Sequence, residues 1–396
     1  MNRSIKDSNI VLLEGVRTPF GSFGGSLKNL TATELGIIAA KGAIKKSGIP
    51  ADRIDSIVFG NALQTSADAI YLARHVGLGA GIPESAPALT VNRLCGSGFE
   101  AIIQAARTLI LGEAEFVLAG GAESMSMAPH SSWGLRWGSK FKDDVMVDLL
   151  WASLYDPVAG LSMAQTAEKL AEERNINRED VDKYALLSQT RTQDAIRKGN
   201  FDEELVSVVD KKGIELLSTD EHPRSDTTIE ALTNLKSYFK EEGTITAGNA
   251  SGISDGAAAM IVTTAENAEK VNAKPLGRII DWGISGCDPT LMGIGPVPAS
   301  RKALERANLT LEEIDLIEVN EAFSPQYLAV EKELGLDRDK TNVNGGAIAI
   351  GHPLAATGSR LSLTLLYELR RRGLKRGLAT ACIGGGQGAA IILETT

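Results

Sequence analysis

Two loosely similar segments lie near opposite ends of this 396-residue chain, and the repeat strongly restricts the folds open to it. In the first, Val91-Asn92 precedes a turn of small residues, an apolar helical run and the strand-like AEFVLAGG. In the second, Val343-Asn344 precedes a glycine-rich turn, an apolar run from about Ser359 to Arg372 and the segment GLATACIGGG. A duplicated α/β half accounts for both segments.

Short β-branched runs alternate with helical patterns on both sides of these segments. This rhythm is typical of a parallel sheet with crossover helices. The run FEAIIQAARTLILG after Cys95 is apolar on nearly all sides and is closed by Gly112, which predicts a helix buried between layers.

The alternation of strand and helix patterns is interrupted between about residues 121 and 250, where three of the four tryptophans and a charged helical stretch occur. The length of the chain fits two domains, or one duplicated domain with an insertion. We therefore predict an N-terminal α/β half at 1–120, completed by about 245–270, and a C-terminal half at 271–396. An α-rich loop domain at 121–245 is expected to be inserted between them and to cover the site.

Composition argues against several classes of partner. The net charge of −9 disfavours nucleic acid and anionic membranes. The three cysteines are odd in number, widely spaced and without a CxxC pair, so neither a disulfide framework nor a metal site is expected. No signal peptide is recognisable and no run approaches the length of a membrane span, so a cytoplasmic protein is expected.

Cys95 and His352 occupy equivalent turns when the two repeats are superposed, each after a strand and before the apolar helix. Pseudo-twofold packing would bring these turns together, and a thiol at a helix N-terminus is expected to have a lowered pKa. A single buried cysteine is more often a packing residue, but the small residues around Cys95 leave room for a ligand. His352 lies in a glycine-rich loop and is a natural base near neutral pH.

Two further strand ends carry reactive or polar groups. Cys382 ends a strand before three glycines, where ligands bind in α/β sheets, although a buried structural thiol is about as probable from the residue alone. Asn320 follows the apolar strand IDLIEV and can hold a water or donate to an oxyanion. The remaining candidates are weaker: Cys287 and His75 are interpreted as structural, and His130 and His222 as touching ligand at most.

Four blocks resemble those of the thiolases in amino-acid sequence and in order: NRLCGSG, NEAF, NGGAIAIGHP and CIGGGQG. The likeness covers essentially the whole chain, including RTPFG, GGAESMS and TAGNASGISDGAAA, and is closest to 3-ketoacyl-CoA thiolases of the β-oxidation type. It implies a five-layer αβαβα fold of two similar halves with an inserted α-rich loop domain. It also implies reversible, ping-pong cleavage of 3-ketoacyl-CoA, including acetoacetyl-CoA, through an acyl-cysteine.

The resemblance assigns roles to individual residues. Cys95 would be the nucleophile, His352 its base and Cys382 the second acid/base. Asn320, through a water, and His352 would form one oxyanion site, and the N–H groups of Cys95 and Gly384 the other. CoA contacts would come from Arg224, Ser251, Met163, Ala322 and Phe323.

The resemblance also implies partners. CoA and acyl-CoA would be substrates and no cofactor would be tightly bound. A homodimer or homotetramer, association with other β-oxidation enzymes, and the mitochondrial matrix as an alternative location follow from the family. Arg136, Lys140 and Lys142 form a basic patch that could attract the CoA phosphates, although a solvated face or a subunit contact is equally credible.

Two positions depart from the family pattern. Ser162-Met163-Ala164 replaces the His-Met-Gly of acetoacetyl-specific members, which favours broader 3-ketoacyl-CoA use. Ala355 replaces a usual glycine, which would be costly if the backbone there had positive φ. The alternatives are a biosynthetic acetyl-CoA acetyltransferase that forms acetoacetyl-CoA, a non-catalytic acyl-CoA-binding subunit, and a different condensing enzyme such as a ketosynthase.

Overall fold

A ten-stranded sheet in two similar halves organises the computed structural model of the chain, which describes residues 9–141 and 143–396. Residues 1–8 and Lys142 of the basic patch lie outside the described residues. The strands are β1 Ile10–Arg17, β2 Gly21–Ser22, β3 Ser56–Gly60, β4 Ala88–Val91, β5 Phe116–Ser124, β6 His130–Ser131, β7 Val147–Asp148, β8 Tyr155–Asp156, β9 Leu161–Ser162, β10 Val208–Val209, β11 Glu215–Leu217, β12 Ser254–Thr264, β13 Gly277–Gly286, β14 Leu316–Val319, β15 Arg376–Ile383 and β16 Gln387–Thr395. The helices are α1 Ala32–Ser47, α2 Leu72–Gly79, α3 Ser97–Leu111, α4 Leu149–Ser153, α5 Met163–Arg174, α6 Arg178–Arg197, α7 Ile229–Thr233, α8 Ala265–Lys270, α9 Pro296–Ala307, α10 Ser324–Leu334, α11 Ala347–Ile350 and α12 Leu354–Arg372.

The sheet is mixed, so the expectation of a parallel sheet was wrong. In the N-terminal half the order is β4-β3-β5-β12-β1, with β3 parallel to β4 and β5 but β12 antiparallel to β5 and β1. The C-terminal half has the order β14-β15-β16-β13, and only β14 and β15 are parallel. The tight turn between β15 and β16 allows only antiparallel pairing, a constraint that hydrophobic periodicity does not carry.

The two halves match as the repeat predicts. β4 pairs in parallel with β3, and in the second half Thr341 pairs in parallel with Ile317 of β14. The halves join where β1 meets β13, at Val11↔Arg278 and Leu12↔Gly277. The sheet is therefore continuous from one half to the other.

Five layers result from the placement of the helices. α3 and α12 lie between the two half-sheets, and their apolar residues share one buried core with strands of both halves. α1 and α2 cover the outer face of the N-terminal half-sheet, while α9, α10 and α6 cover that of the C-terminal half-sheet. The fold expected from the resemblance is confirmed.

α3 is the helix predicted after Cys95, and it ends at Gly112, whose φ is 74°. Its partner α12 begins at Leu354, directly after Pro353 and five residues before the predicted start at Ser359. Within the described residues one segment, Leu94–Leu111, is long and apolar enough to cross a membrane, with a mean hydropathy of 1.2, but 61% of it is buried inside the protein. No run near the length of a membrane span was expected from the sequence, and this buried core helix is the exception.

Residues 125–253 connect β5 to β12 and hold three small hairpins and the helices α4 to α7. α6 belongs to the outer core of the C-terminal half, since its Tyr184 stacks on Tyr327 of α10 at 3.9 Å between ring centroids. Arg136 and Lys140 are exposed in this segment. The division into domains at residues 121 and 245 stays a prediction.

Candidate active site

Cys95 lies in a short 3₁₀ turn, Leu94–Gly96, at the N-terminus of α3. Leu94 has a φ of 46°, a left-handed conformation that is costly for a leucine. The turn is fixed by two hydrogen bonds: the Leu94 N–H donates to Asn92 Oδ1 at 2.9 Å, and the Arg93 N–H donates to Ser97 Oγ at 2.8 Å. The nucleophile candidate is therefore held in one position.

The first turns of α3 and α12 touch at two glycines. A Cβ atom on Gly98 would lie 2.5 Å from the Ser359 nitrogen, and one on Gly358 would lie 2.3 Å from the Phe99 nitrogen. The two helix backbones can approach so closely only because both positions lack a side chain. This crossing brings together the turns before the two helices, which carry Cys95 and His352, as the superposed repeats predict.

The Cys95 thiol has a raised pKa, contrary to the expectation of a lowered one. Burial raises the pKa to about 11, the N–H groups of Gly384 and of Cys95 itself oppose that change, and the nearby Glu123 carboxylate adds to it. Cys95 is partly exposed to solvent, but protein atoms surround the sulfur closely enough for desolvation to exceed the effect of the helix terminus.

His352 is buried and its tautomer follows from its hydrogen bonds. Thr357 Oγ1 donates to the Pro353 carbonyl at 2.9 Å, so it must accept from His352 Nδ1–H, which lies 2.6 Å away. His352 Nε2 then keeps its lone pair, and Asn320 Nδ2 lies 3.3 Å from it. Burial, with a smaller contribution from the Arg360 charge, lowers the pKa of His352 to about 3. The imidazole is neutral near pH 7.

Asn320 directly follows β14, and its N–H donates to the Thr380 carbonyl at 2.9 Å. Its side-chain oxygen is buried without a hydrogen-bond partner among the described residues. The next residue, Glu321, is buried and accepts four hydrogen bonds, two from side chains of α6 and two from residues 342–348. The donors are Tyr184 Oη at 2.7 Å, Ser188 Oγ at 2.7 Å, Asn342 Nδ2 at 3.0 Å and the Ile348 N–H at 3.1 Å.

Cys382 is buried near the end of β15, before the loop Gly384–Gly386. Its pKa lies well above the ordinary value because of burial and, secondarily, the proximity of Cys95. Cys382 packs with Met292 and Ala322, and Met163 and Phe323 lie against this cluster. The structure thus brings together the second thiol and three of the predicted CoA contacts.

Of the other two predicted CoA contacts, Ser251 is bonded to this cluster and Arg224 lines a neighbouring cavity. Ser251 donates to the Ala322 carbonyl through its N–H at 3.0 Å and its Oγ at 2.9 Å. Ala250, which pairs with Phe323, also lines a cavity of about 220 Å³ whose wall includes Arg224. The five predicted CoA residues therefore lie in two adjoining groups.

The two departures from the family pattern have local explanations. Ala355 lies in the first turn of α12, is fully buried and has no positive φ, so its methyl group causes no backbone strain. Ser162 is the N-cap of α5, where its Oγ accepts from the Gln165 N–H at 3.3 Å and its own N–H donates to Gln165 Oε1 at 2.9 Å. Ser162 thereby fixes the start of the helix that carries Met163.

Sequence reasoning missed several groups at this site. Glu123 is buried beside Cys95, accepts four hydrogen bonds and has a pKa raised by burial to about 7; its only signal was its place in the block GGAESMS. Its donors are Asn61 Nδ2 at 3.0 Å and the N–H groups of Ala62 at 3.1 Å, Leu63 at 2.9 Å and Ala355 at 3.1 Å. Thr357 and Met292 carried no recognisable signal.

The weaker candidates have mostly structural surroundings. His75 lies 3.3 Å from Asp68, and His130 is exposed. The Cys287 N–H donates to the Gly386 carbonyl at 2.7 Å, and burial raises the pKa of its thiol to about 11. His222 is different, because it lines the same cavity as Arg224.

Comparisons with known proteins all point to one family. Two family models match: "Thiolase, N-terminal domain" over residues 10–266 and "Thiolase, C-terminal domain" over residues 273–395. The human protein named 3-ketoacyl-CoA thiolase, mitochondrial, is 52% identical over 396 residues, covering 98% of this chain and 100% of its own. The acetyl-CoA acetyltransferase of Syntrophomonas wolfei is 46% identical over 392 residues, covering 97% and 98%. The crystal structure of human mitochondrial 3-ketoacyl-CoA thiolase in complex with CoA has a TM-score of 0.96 at 51% identity and covers 98% of each chain.

Proposed function

The chain belongs to the thiolase family, and on that premise we propose that it is an acyl-CoA C-acyltransferase that reversibly cleaves 3-ketoacyl-CoA with CoA, giving acyl-CoA and acetyl-CoA. The observation that carries the proposal is the neutral imidazole of His352, whose Nε2 keeps its lone pair because the ring proton lies on Nδ1, where Thr357 accepts it. A base in this state can accept the proton of a thiol.

In the first half-reaction, His352 Nε2 takes the proton of Cys95 as its sulfur attacks the 3-keto carbon. The N–H groups of Cys95 and Gly384, which already act on this sulfur, stabilise the oxyanion formed there. The bond between the α- and β-carbons then breaks and leaves an acyl group on Cys95. The departing enolate of acetyl-CoA takes a proton from Cys382, while its oxygen is stabilised by Asn320, through a water, and by His352.

In the second half-reaction, the Cys382 thiolate takes the thiol proton of CoA, and the CoA sulfur attacks the acyl-cysteine. The acyl group leaves as acyl-CoA and His352 returns its proton to the Cys95 sulfur, so both cysteines are thiols again; this is a ping-pong course. The acyl-cysteine and the acyl-CoA product are both thioesters, so transfer of the acyl group from Cys95 to CoA is nearly isoenergetic and runs in both directions. Synthesis of acetoacetyl-CoA is the same reaction reversed.

CoA is a substrate in this proposal, and no cofactor is held. Met163, Ala322 and Phe323, packed beside Cys382, would line the path of the thioester, and Ser251 adjoins them. Arg224, in the wall of the neighbouring cavity, would lie near the adenine end of CoA. The exposed Arg136 and Lys140 would attract the CoA phosphates from outside this path.

Broader 3-ketoacyl-CoA use and a place in fatty acid β-oxidation are part of the proposal. Ser162 supports the substrate range, since a small helix cap replaces the histidine of acetoacetyl-specific members. A homodimer or homotetramer, and association with other β-oxidation enzymes, are proposed on the family resemblance. The human relative is named mitochondrial, which supports the matrix alternative over the cytoplasmic location expected from the sequence.

The direct test compares two cysteines whose thiol pKa values are both raised to about 11. Cys95→Ala is expected to abolish acetoacetyl-CoA thiolysis, and incubation of the unaltered protein with acyl-CoA should add one acyl group to the Cys95 peptide, as seen by mass spectrometry. Cys287→Ala should keep both properties. Tight acyl-CoA binding without turnover would instead identify a non-catalytic binding subunit, and full activity of Cys95→Ala would refute the proposal.

A further inference from the structure

Residues 220–222 form a short, firmly held segment whose last residue, His222, lines the Arg224 cavity. Asp220 Oδ1 pairs with the buried Arg17 at 2.7 Å and also accepts from the Phe20 N–H at 2.8 Å. Glu221 accepts hydrogen bonds from the N–H and Oγ of both Ser22 and Ser26. These bonds anchor both residues that precede His222.

His222 is joined to His352 through one serine. His222 Nε2 lies 2.8 Å from Ser254 Oγ, and Ser254 Oγ accepts from the His352 N–H at 3.0 Å. Ser254 Oγ donates its own proton to the Gly252 carbonyl at 2.7 Å, so His222 is the donor in the first bond. His222 Nε2 also lies 3.2 Å from the Gly21 carbonyl, which fits the same tautomer.

Two glycines make room for this imidazole. A Cβ atom on Gly351 would lie 2.6 Å from His222 Cδ2 and 2.3 Å from Ser254 Oγ, and Gly351 has a φ of 97°. A Cβ atom on Gly252 would lie 2.4 Å from His222 Cε1. His222 therefore packs directly against the peptide that enters His352, and its position and that of the turn depend on each other.

We propose that His222 is a positioning residue for His352 and acts through Ser254. Its Nε2–H holds Ser254 Oγ in place, and Ser254 Oγ holds the His352 backbone, which sets the direction of the imidazole toward Cys95 and Asn320. The inference rests on the proposed function. It differs from a role in CoA binding, although His222 lines the cavity of Arg224.

The test uses His222→Asn, His222→Gln and Ser254→Ala, assayed by thiolysis of acetoacetyl-CoA with CoA. Glutamine can place an N–H near the position of Nε2, whereas asparagine is too short. His222→Asn is expected to lower kcat about tenfold with the KM for CoA changed less than about twofold, and His222→Gln to keep kcat within about threefold. Because His222 acts through Ser254, the double variant His222→Asn/Ser254→Ala should be no slower than Ser254→Ala. His130→Asn, an exposed histidine, is the matched control and should resemble the unaltered protein.

Each other result counts against the inference. A raised KM for CoA with unchanged kcat in His222→Asn would make His222 a ligand contact, and additive losses in the double variant would remove the path through Ser254. If His222→Asn fails to fold, Ser254→Ala decides, since an unaltered kcat there overturns the inference. If the unaltered protein shows no thiolysis, the proposed function itself is refuted. The results with the variants do not bear on that outcome.

Discussion

Burial acts in opposite directions on the two groups of the proposed proton transfer. It raises the pKa of Cys95 to about 11 and lowers that of His352 to about 3, since each charged form loses solvation. Near pH 7 both groups are neutral, so a thiolate and an imidazolium form together only as the sulfur attacks. The resting enzyme therefore keeps Cys95 as a thiol of low reactivity.

The reactivity of Cys95 toward iodoacetamide should report this state. Because only the thiolate reacts, the rate should rise about tenfold for each pH unit from about 7 to 10 without levelling off. A synthetic peptide VNRLCGSGFE, whose thiol is solvated, should level off above about pH 8.5. Mass spectrometry of the Cys95 peptide measures the rate, and a plateau near pH 8.5 in the folded protein would contradict the raised pKa.

At the scale of elements, the crossing of α3 and α12 determines where the site can form. The helices approach through Gly98 and Gly358, whose hydrogens face backbone atoms of the other helix. Side chains at the contact would separate the two N-terminal turns and therefore Cys95 from His352.

Gly358→Ala should accordingly destabilise the protein by about 3 kcal/mol, because its new methyl group would meet the backbone of Phe99 and no flexible side chain could yield. Gly286→Ala is the matched control: Gly286 is exposed, the nearest atom to a new Cβ lies 3.8 Å away, and the change should stay within about 0.5 kcal/mol. Urea unfolding measures both. Equal stability of the two variants would show that the crossing tolerates a side chain.

Individual helices and strands could be predicted from the sequence better than strand directions and contacts between distant residues. α3 and its end at Gly112 were predictable because apolar pattern and glycine cap are local signals. The direction of β12 was not, since periodicity is the same for parallel and antiparallel strands. The pKa of Cys95 was predicted wrongly because a helix terminus is visible in sequence while desolvation depends on the folded surroundings. His222 was undervalued because its link to Ser254 joins residues 32 positions apart.

At the scale of the whole molecule, the halves share one core. α3 and α12 come from different halves, yet their apolar residues pack in one cluster with strands of both. The connecting segment is also tied in, since α6 contributes Tyr184 to the outer core of the C-terminal half and donates to Glu321. The central core therefore draws residues from both sides of residue 271.

Hydrogen exchange in increasing urea should reveal one cooperative unit. Amides of β5, β16 and α6 are expected to lose protection at the same urea concentration, because none of these elements keeps its buried face without the others. The surface stretch around Trp133 and Trp137, which are 76% and 85% exposed, should exchange at lower urea and serves as the internal control. If β16 lost protection well before β5, the halves would be separate folding units joined only at the paired residues of β1 and β13. If α6 opened together with the surface stretch, the whole insertion from 121 to 245 would behave as the independent domain that the sequence predicts.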